Sequence, residues 1–419
     1  MRTFFPVLIL FYSTLFLTQG FSQPVPRDTF TTREARTRFL DNLISNTIEA
    51  PLHDSLTSAT ESLWSGAFWG AELIQYKDTI IQSALYRGLA QYQMNSVDFN
   101  RSLLQGAYSL SQCEFSEQIK SVLAAESNPK NFAMAAVYLK RCGALPETSP
   151  TTLISERFPQ WEQNPVLMGL HWFLQDQKTT LPPLKSLFNH QPLMNKILII
   201  SFQRKNRDYP GMVIFRSRNG NLLRNESGRL TGVPQLARAA CNLPSFLTNG
   251  NTPQGLFHIA GVVVSKNRFI GKTPALNLEL PFEATTARFL DNRSMKESFN
   301  RSHYVSMLPK EWHNYPPVFE ALNAGEAGRY DIMAHGTTVD HIFYEGKPYS
   351  GFTPSMGCMV ASEYWNSETG ERLESGQEKI LQAYKKAGGG KGYYLLLEID
   401  DKQAPVTIEE VEKLLEGIQ

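Results

Sequence analysis

Tyr330-Asp331-Ile332-Met333-Ala334-His335-Gly336-Thr337-Thr338, followed after a polar loop by Thr353-Pro354-Ser355-Met356-Gly357-Cys358-Met359-Val360, is the stretch on which the reading of this chain turns. The apolar run Ile332 to Ala334 predicts a short strand with His335 at its end, and Ser355-x-Gly357-Cys358 predicts a turn that carries a thiol. A thiol beside an imidazole gives up its proton readily, and thiolate is a strong nucleophile, so the pair points to nucleophilic catalysis. Gly357 lets the backbone approach a substrate closely, which allows the amides of Met356, Gly357 and Cys358 to converge on a developing oxyanion. A Cys and a His alone are weak evidence, because a free Cys is more often an inert buried residue. The neighbouring residues add the weight.

With those residues in view, the chain resembles the L,D-transpeptidase (YkuD-like) family, whose signature is a His-Gly on one strand followed by Ser-x-Gly-Cys. Upstream, Thr252-Pro253-Gln254-Gly255-Leu256-Phe257-His258-Ile259 is similar to the family's Thr-Pro-x-Gly-x-Phe-x-Ile segment, in the same order relative to the His motif. The resemblance covers roughly Lys196 to Asp401. It implies Cys358 as nucleophile, His335 as base, Ser355 in the same motif, and the Thr252 segment as a wall of the cleft. Two positions depart from the family pattern: Met356 stands where most members have a second His, and Met359-Val360 stands where an Arg or Asn closely follows the Cys. A hydrolytic branch of the family also lacks the second His, so the reaction outcome is open between transfer and hydrolysis.

Thr337 or a backbone carbonyl can orient the imidazole as third member of the constellation. His341 is the rival base, and His335 is preferred because Gly336-Thr337 follows it whereas Ile-Phe-Tyr follows His341. Gly336, Phe257, His341 and His303 are the expected substrate-binding positions, the last from an aromatic, Pro-rich stretch at Ser302 to Pro317.

At the N-terminus, Arg2 precedes an apolar run from Phe4 to Leu17 and small residues at cleavage-like positions, which predicts a secretory signal over 1–22 with cleavage after Gly20 or Ser22. The expected location is therefore exported, in the periplasm or cell envelope, with no stable membrane span after processing. A formal charge of +1, near zero once Arg2 is removed, gives no footprint for nucleic acid or an acidic membrane surface. Four cysteines are few for a disulfide-stapled miniature domain. Cys113 and Cys142 can pair or stay as buried thiols, and Cys241 reads as structural. No Cys-x-x-Cys, His-Glu-x-x-His or calcium-loop pattern occurs, so neither a metal nor a cofactor is expected.

The fold class expected is α+β: an irregular all-α domain over 23–195, then a mainly β catalytic domain over 196–419. Helical spacing marks Thr32 to Ile48, Leu73 to Gln91, Phe99 to Leu110, Ser116 to Glu126 and Asn131 to Arg141. The aromatic residues Trp64, Phe68, Trp69, Tyr86 and Tyr92 fit a core better than a sugar groove. Strands are expected at Lys196 to Phe202, Gly211 to Phe215, Leu256 to Val264, Leu276 to Leu280 and Tyr393 to Ile399, and helices from Ser362-Glu363-Tyr-Trp365, at Leu373 to Ala387 and at Thr407 to Ile418. Gly388-Gly-Gly-Lys391 lies between helix and strand, the reverse of a phosphate loop. Three functions follow as expectations: an L,D-transpeptidase acting on peptidoglycan stem peptides, a carboxypeptidase or amidase of the same fold, or a wall-binding protein whose Cys site is dead.

Overall fold

The computed structural model describes residues 26–418, and the expected signal segment lies outside them. The protein is α+β, with a helical N-terminal region followed by an eight-stranded sheet. Helices span Arg33–Asn42, Glu61–Ile74, Thr79–Ala90, Val97–Leu110, Ser116–Ala125, Pro129–Arg141 and Pro165–Gln175. Side-chain caps set several of the starts: Ser96 accepts from the Phe99 amide, and Asn128 from those of Lys130 and Asn131, with Pro129 at the first helical position. The single helix expected over Leu73 to Gln91 is two, because Gln75 turns left-handed at φ 54° and Asp78 caps a new start. Trp64, Phe68 and Tyr92 are buried in the core, Trp69 packs against it half-buried, and Tyr86 is exposed. Cys113 and Cys142 form a disulfide with Cα atoms 5.6 Å apart.

The sheet contains β1 (Ile197–Arg204), β2 (Gly211–Arg216), β3 (Val233–Gln235), β4 (Gly255–Val263), β5 (Ala275–Glu279), β6 (Met333–His335), β7 (Met359–Val360) and β10 (Gly392–Asp400). Its order is β3-β2-β1-β10-β4-β5-β6-β7; β8 (Glu363–Trp365) and β9 (Arg372–Ser375) form a separate ribbon. Two neighbouring pairs, β1 with β10 and β6 with β7, run parallel, and the other ladders are antiparallel. Every residue of β1 is buried, because Ile197 and Ile199 point into one core and Leu198, Ile200 and Phe202 into another. That two-sided burial is why β1 reads as a continuous apolar run rather than an alternating one.

The helix expected to begin at Ser362 is β8 instead. Glu363 is fully buried, Tyr364 is 42 % exposed and Trp365 is nearly buried, the period-two alternation of a strand. Further on, Arg372–Ser375 is strand and the helix starts at Gly376, capped by Ser375.

The core of the helical region does not stop at its last helix. It takes in Leu236, Ala239, Cys241, Leu243, Phe246 and Leu247 from the loop before β4, and Val339, Tyr344 and Tyr349 from the loop between β6 and β7. The Tyr344 hydroxyl donates to the Leu73 carbonyl at 2.5 Å, and Arg36 pairs with Asp340 at 3.1 Å and donates to the Thr338 carbonyl at 3.2 Å. The loop before β4 and the loop that runs from His335 to the Cys358 turn are thus held by the helices.

Candidate active site

The strand pair β6–β7 brings the two halves of the motif together, with Ala334 opposite Met359 and His335 opposite Val360. The ladder ends one residue before Met359, at Cys358. There the Met333 amide donates to the Cys358 sulfur at 3.4 Å, and the thiol reaches the Asp331 carbonyl at 3.5 Å. Met333 precedes His335 by two residues, so at about 3.3 Å per residue the amide that meets the thiol lies about 7 Å along β6 from the backbone of His335. Among the described residues no hydrogen bond joins His335 to Cys358. Asp331, whose carbonyl meets the thiol, is itself left-handed at φ 57°, an uncommon conformation for a residue with a side chain.

His335 is buried, and its Nδ1 donates to the Gly336 carbonyl at 2.5 Å. A carbonyl only accepts, so Nδ1 carries the proton and Nε2 is left as the basic nitrogen. The group that orients the imidazole is therefore the Gly336 carbonyl. Thr337 is turned elsewhere: its hydroxyl accepts from Thr353 at 2.7 Å and from the Val339 amide at 3.1 Å. Burial pushes the His335 pKa down to about 4 against a smaller upward pull from the Gly336 carbonyl. Burial likewise pushes the Cys358 thiol up to about 11, opposed by the Met333 amide and by Arg329. Both groups are therefore neutral across the neutral pH range, and the pair holds no resting thiolate–imidazolium ion pair.

The turn before the thiol is tightly tied. Ser355 donates to the Cys358 carbonyl at 2.8 Å and accepts from the Gly357 amide at 3.2 Å. The Gly357 amide is thereby spent, and of the three expected oxyanion donors only those of Met356 and Cys358 carry no partner among the described residues. Gly357 has φ 114°, and a Cβ there would lie 2.3 Å from the Arg329 guanidinium. Thr252 crosses from the upstream segment and donates to the Gly357 carbonyl at 2.9 Å. Met356 is 52 % exposed, which leaves the mouth of the turn open to solvent.

Two expected positions lie away from this site. Phe257 is fully buried in the core that holds Ala334 and Met359, so strand alternation carries it to the face opposite His335. His303 caps its own helix through Asn300 and meets Glu297 at 2.8 Å. His341 lies on the loop between β6 and β7, stacked on Tyr364 at 4.9 Å with Nε2 donating to the Glu363 carbonyl at 2.6 Å, and makes no bond to Cys358.

Sequence reasoning missed two residues that build the site, Glu363 and Arg329. The buried Glu363 carboxylate accepts the Thr337 amide at 3.0 Å and the Ser375 hydroxyl, while Trp365 donates to the Thr337 carbonyl at 2.8 Å. The alternation of Glu363 with Tyr364 and Trp365 was the available signal. Arg329 left none, since its partners are carbonyls far away in sequence. Among the described residues no group of three or more His, Cys, Asp or Glu side chains is arranged to hold a metal ion, and no helix is long and apolar enough to cross a membrane. Neither of the two clearest cavities touches Cys358 or His335. Set against family models, curated proteins and solved structures, the chain matches none of them.

Proposed function

We propose that this protein is an exported cysteine acyltransferase of the L,D-transpeptidase type, acting on peptidoglycan stem peptides. The observation that carries the reading is the pairing on β6 and β7: a thiol at the end of one strand, and on its neighbour an imidazole whose tautomer leaves Nε2 basic. Cys358 attacks the amide carbonyl that follows the diamino acid of the stem, and His335 Nε2 takes the thiol proton as the carbon–sulfur bond forms. The Met356 and Cys358 amides receive the oxyanion. Collapse of the tetrahedral intermediate breaks the carbon–nitrogen bond, and His335 returns the proton to the leaving amine. An acceptor amine then attacks the thioester: the new carbon–nitrogen bond forms, the carbon–sulfur bond breaks, and the amine's proton passes through His335 to the released Cys358 thiolate, leaving a new cross-link and the free thiol. No cofactor enters this sequence. The Cys113–Cys142 disulfide fits an oxidising compartment outside the cytoplasm.

A second reading, hydrolysis of the same thioester by water, is favoured by the exposed Met356 at the mouth of the turn. Mass analysis of purified peptidoglycan fragments after incubation with the mature protein, beside Cys358→Ala, separates the two. Joined fragments that depend on Cys358 support transfer. Shortened fragments that take up labelled solvent oxygen support hydrolysis. Fragments unchanged by the intact protein would leave the dead, wall-binding alternative.

A further inference from the structure

We propose that Arg329 is a positioning residue for Cys358: a buried cation that fixes the turn carrying the thiol and favours the thiolate as it forms. Arg329 is 9 % exposed, and it stands six residues before His335, outside every motif in the chain. Its guanidinium donates to the carbonyls of Gly250 at 2.8 Å, Asn251 at 3.0 Å and Ser245. These three carbonyls lie on the segment that leads into Thr252, and Thr252 in turn binds the Gly357 carbonyl. One side chain therefore organises the strip of backbone against which the nucleophile turn rests.

The contact with that turn is direct. Gly357 approaches so closely that a Cβ on it would stand 2.3 Å from Nη2 of Arg329 and 2.9 Å from the Gly250 carbonyl. A guanidinium in that place has a cost, because carbonyl partners satisfy its N–H groups without cancelling its charge. Among the described residues Arg329 makes no ion pair with a carboxylate. The ionisable groups that bear on its charge are the thiols of Cys241 and Cys358 and the Glu320 carboxyl, which Gln254 and Ser245 already hydrogen-bond. Of these, Cys358 is the one whose charge appears during the proposed reaction. A fixed cation that is uncompensated before attack and compensated during it stabilises the transition state more than the ground state.

The inference rests on Cys358 as nucleophile, but its test uses no peptidoglycan. Iodoacetamide labelling of Cys358 is followed by intact-protein mass from about pH 6 to about pH 10, in a Cys241→Ser background that removes the second thiol. With Arg329→Met, labelling at about pH 8 is expected to slow about tenfold or more, and the pH profile to move upward, tenfold corresponding to one pKa unit. With Arg329→Lys, which keeps the charge and loses the fork, the profile is expected to stay near that of the parent. An Arg329→Met protein with unchanged circular dichroism and an unshifted profile overturns the proposal. So does a folded Arg329→Lys protein whose profile moves upward, and this arm decides the matter if the Met variant does not fold. Should stem peptides prove inert while the profile still shifts, the proposed substrate fails and the role of Arg329 stands.

Discussion

The carboxylate of Glu363 occupies the space that a side chain on Gly336 would need, with Oε2 lying 2.1 Å from where its Cβ would stand. The same oxygen accepts the Thr337 amide at 3.0 Å, so the residue that forbids a Cβ also holds the backbone just beyond His335. Gly336→Ala must push the carboxylate away or rotate the carbonyl that orients His335. It is expected to cost about 1–3 kcal/mol, read from the urea midpoint, and to abolish stem-peptide turnover. Full activity in a stable Gly336→Ala protein would show that the Gly336 carbonyl does not set the tautomer.

Thr252 ties the upstream segment to the nucleophile turn through one hydroxyl. Thr252→Val keeps the shape and leaves the Gly357 carbonyl without that buried donor, for an expected loss of about 1–2 kcal/mol. Turnover should fall further than stability alone explains, because the thiol is carried by the freed turn. Equal kcat in the two proteins at a temperature where both are folded would refute this.

The pH profile has a defined shape. His335 as free base, with a pKa of about 4, and Cys358 as neutral thiol, with a pKa of about 11, give kcat/KM a broad plateau with limbs near those values. A narrow bell centred near neutrality would instead indicate a resting ion pair. Stability follows the same histidine. Its folded pKa lies below the ordinary 6.5, so the folded chain binds fewer protons and loses stability as pH falls from about 6.5 to about 4. His335→Gln should remove that part of the acid sensitivity in thermal melts.

The disulfide closes a 29-residue separation between Cys113 and Cys142. Replacing both with Ser is expected to cost about 3 kcal/mol, measured by denaturant unfolding, with little effect on kcat once folded, since the bridge lies in the helical region away from Cys358.

A chain cut to residues 196–419 is expected not to fold into the native sheet. Nine side chains from its loops, Leu236 to Leu247 and Val339 to Tyr349, are buried against the helices and would be stripped of cover. Well-dispersed amide spectra from that fragment alone would disprove the dependence.

Periodicity made the architecture legible where one residue type dominated a face. The buried runs of β1, β2 and β10 could be read directly, as could the helices over Phe99 to Leu110 and Asn131 to Arg141. It failed where a tertiary contact decided. The segment at Ser362 forms a strand because Glu363 must reach beneath Thr337, and Leu73 to Gln91 breaks because Gln75 can turn left-handed. At the site, local motif spacing put His335, Ser355, Gly357 and Cys358 on neighbouring strands and turns. Glu363 and Arg329 stayed hidden because each acts on backbone groups distant in sequence. Phe257 was misplaced because a motif gives the order of residues but not which side of a sheet each one takes.

The backbone between His335 and Ser355 is anchored in the helical core through Tyr344 and Arg36. The two regions must therefore be inherited together. A recombination event, or an engineered graft that gave this sheet another helical neighbour, would transplant His335 and Cys358 with nothing to hold the span between them.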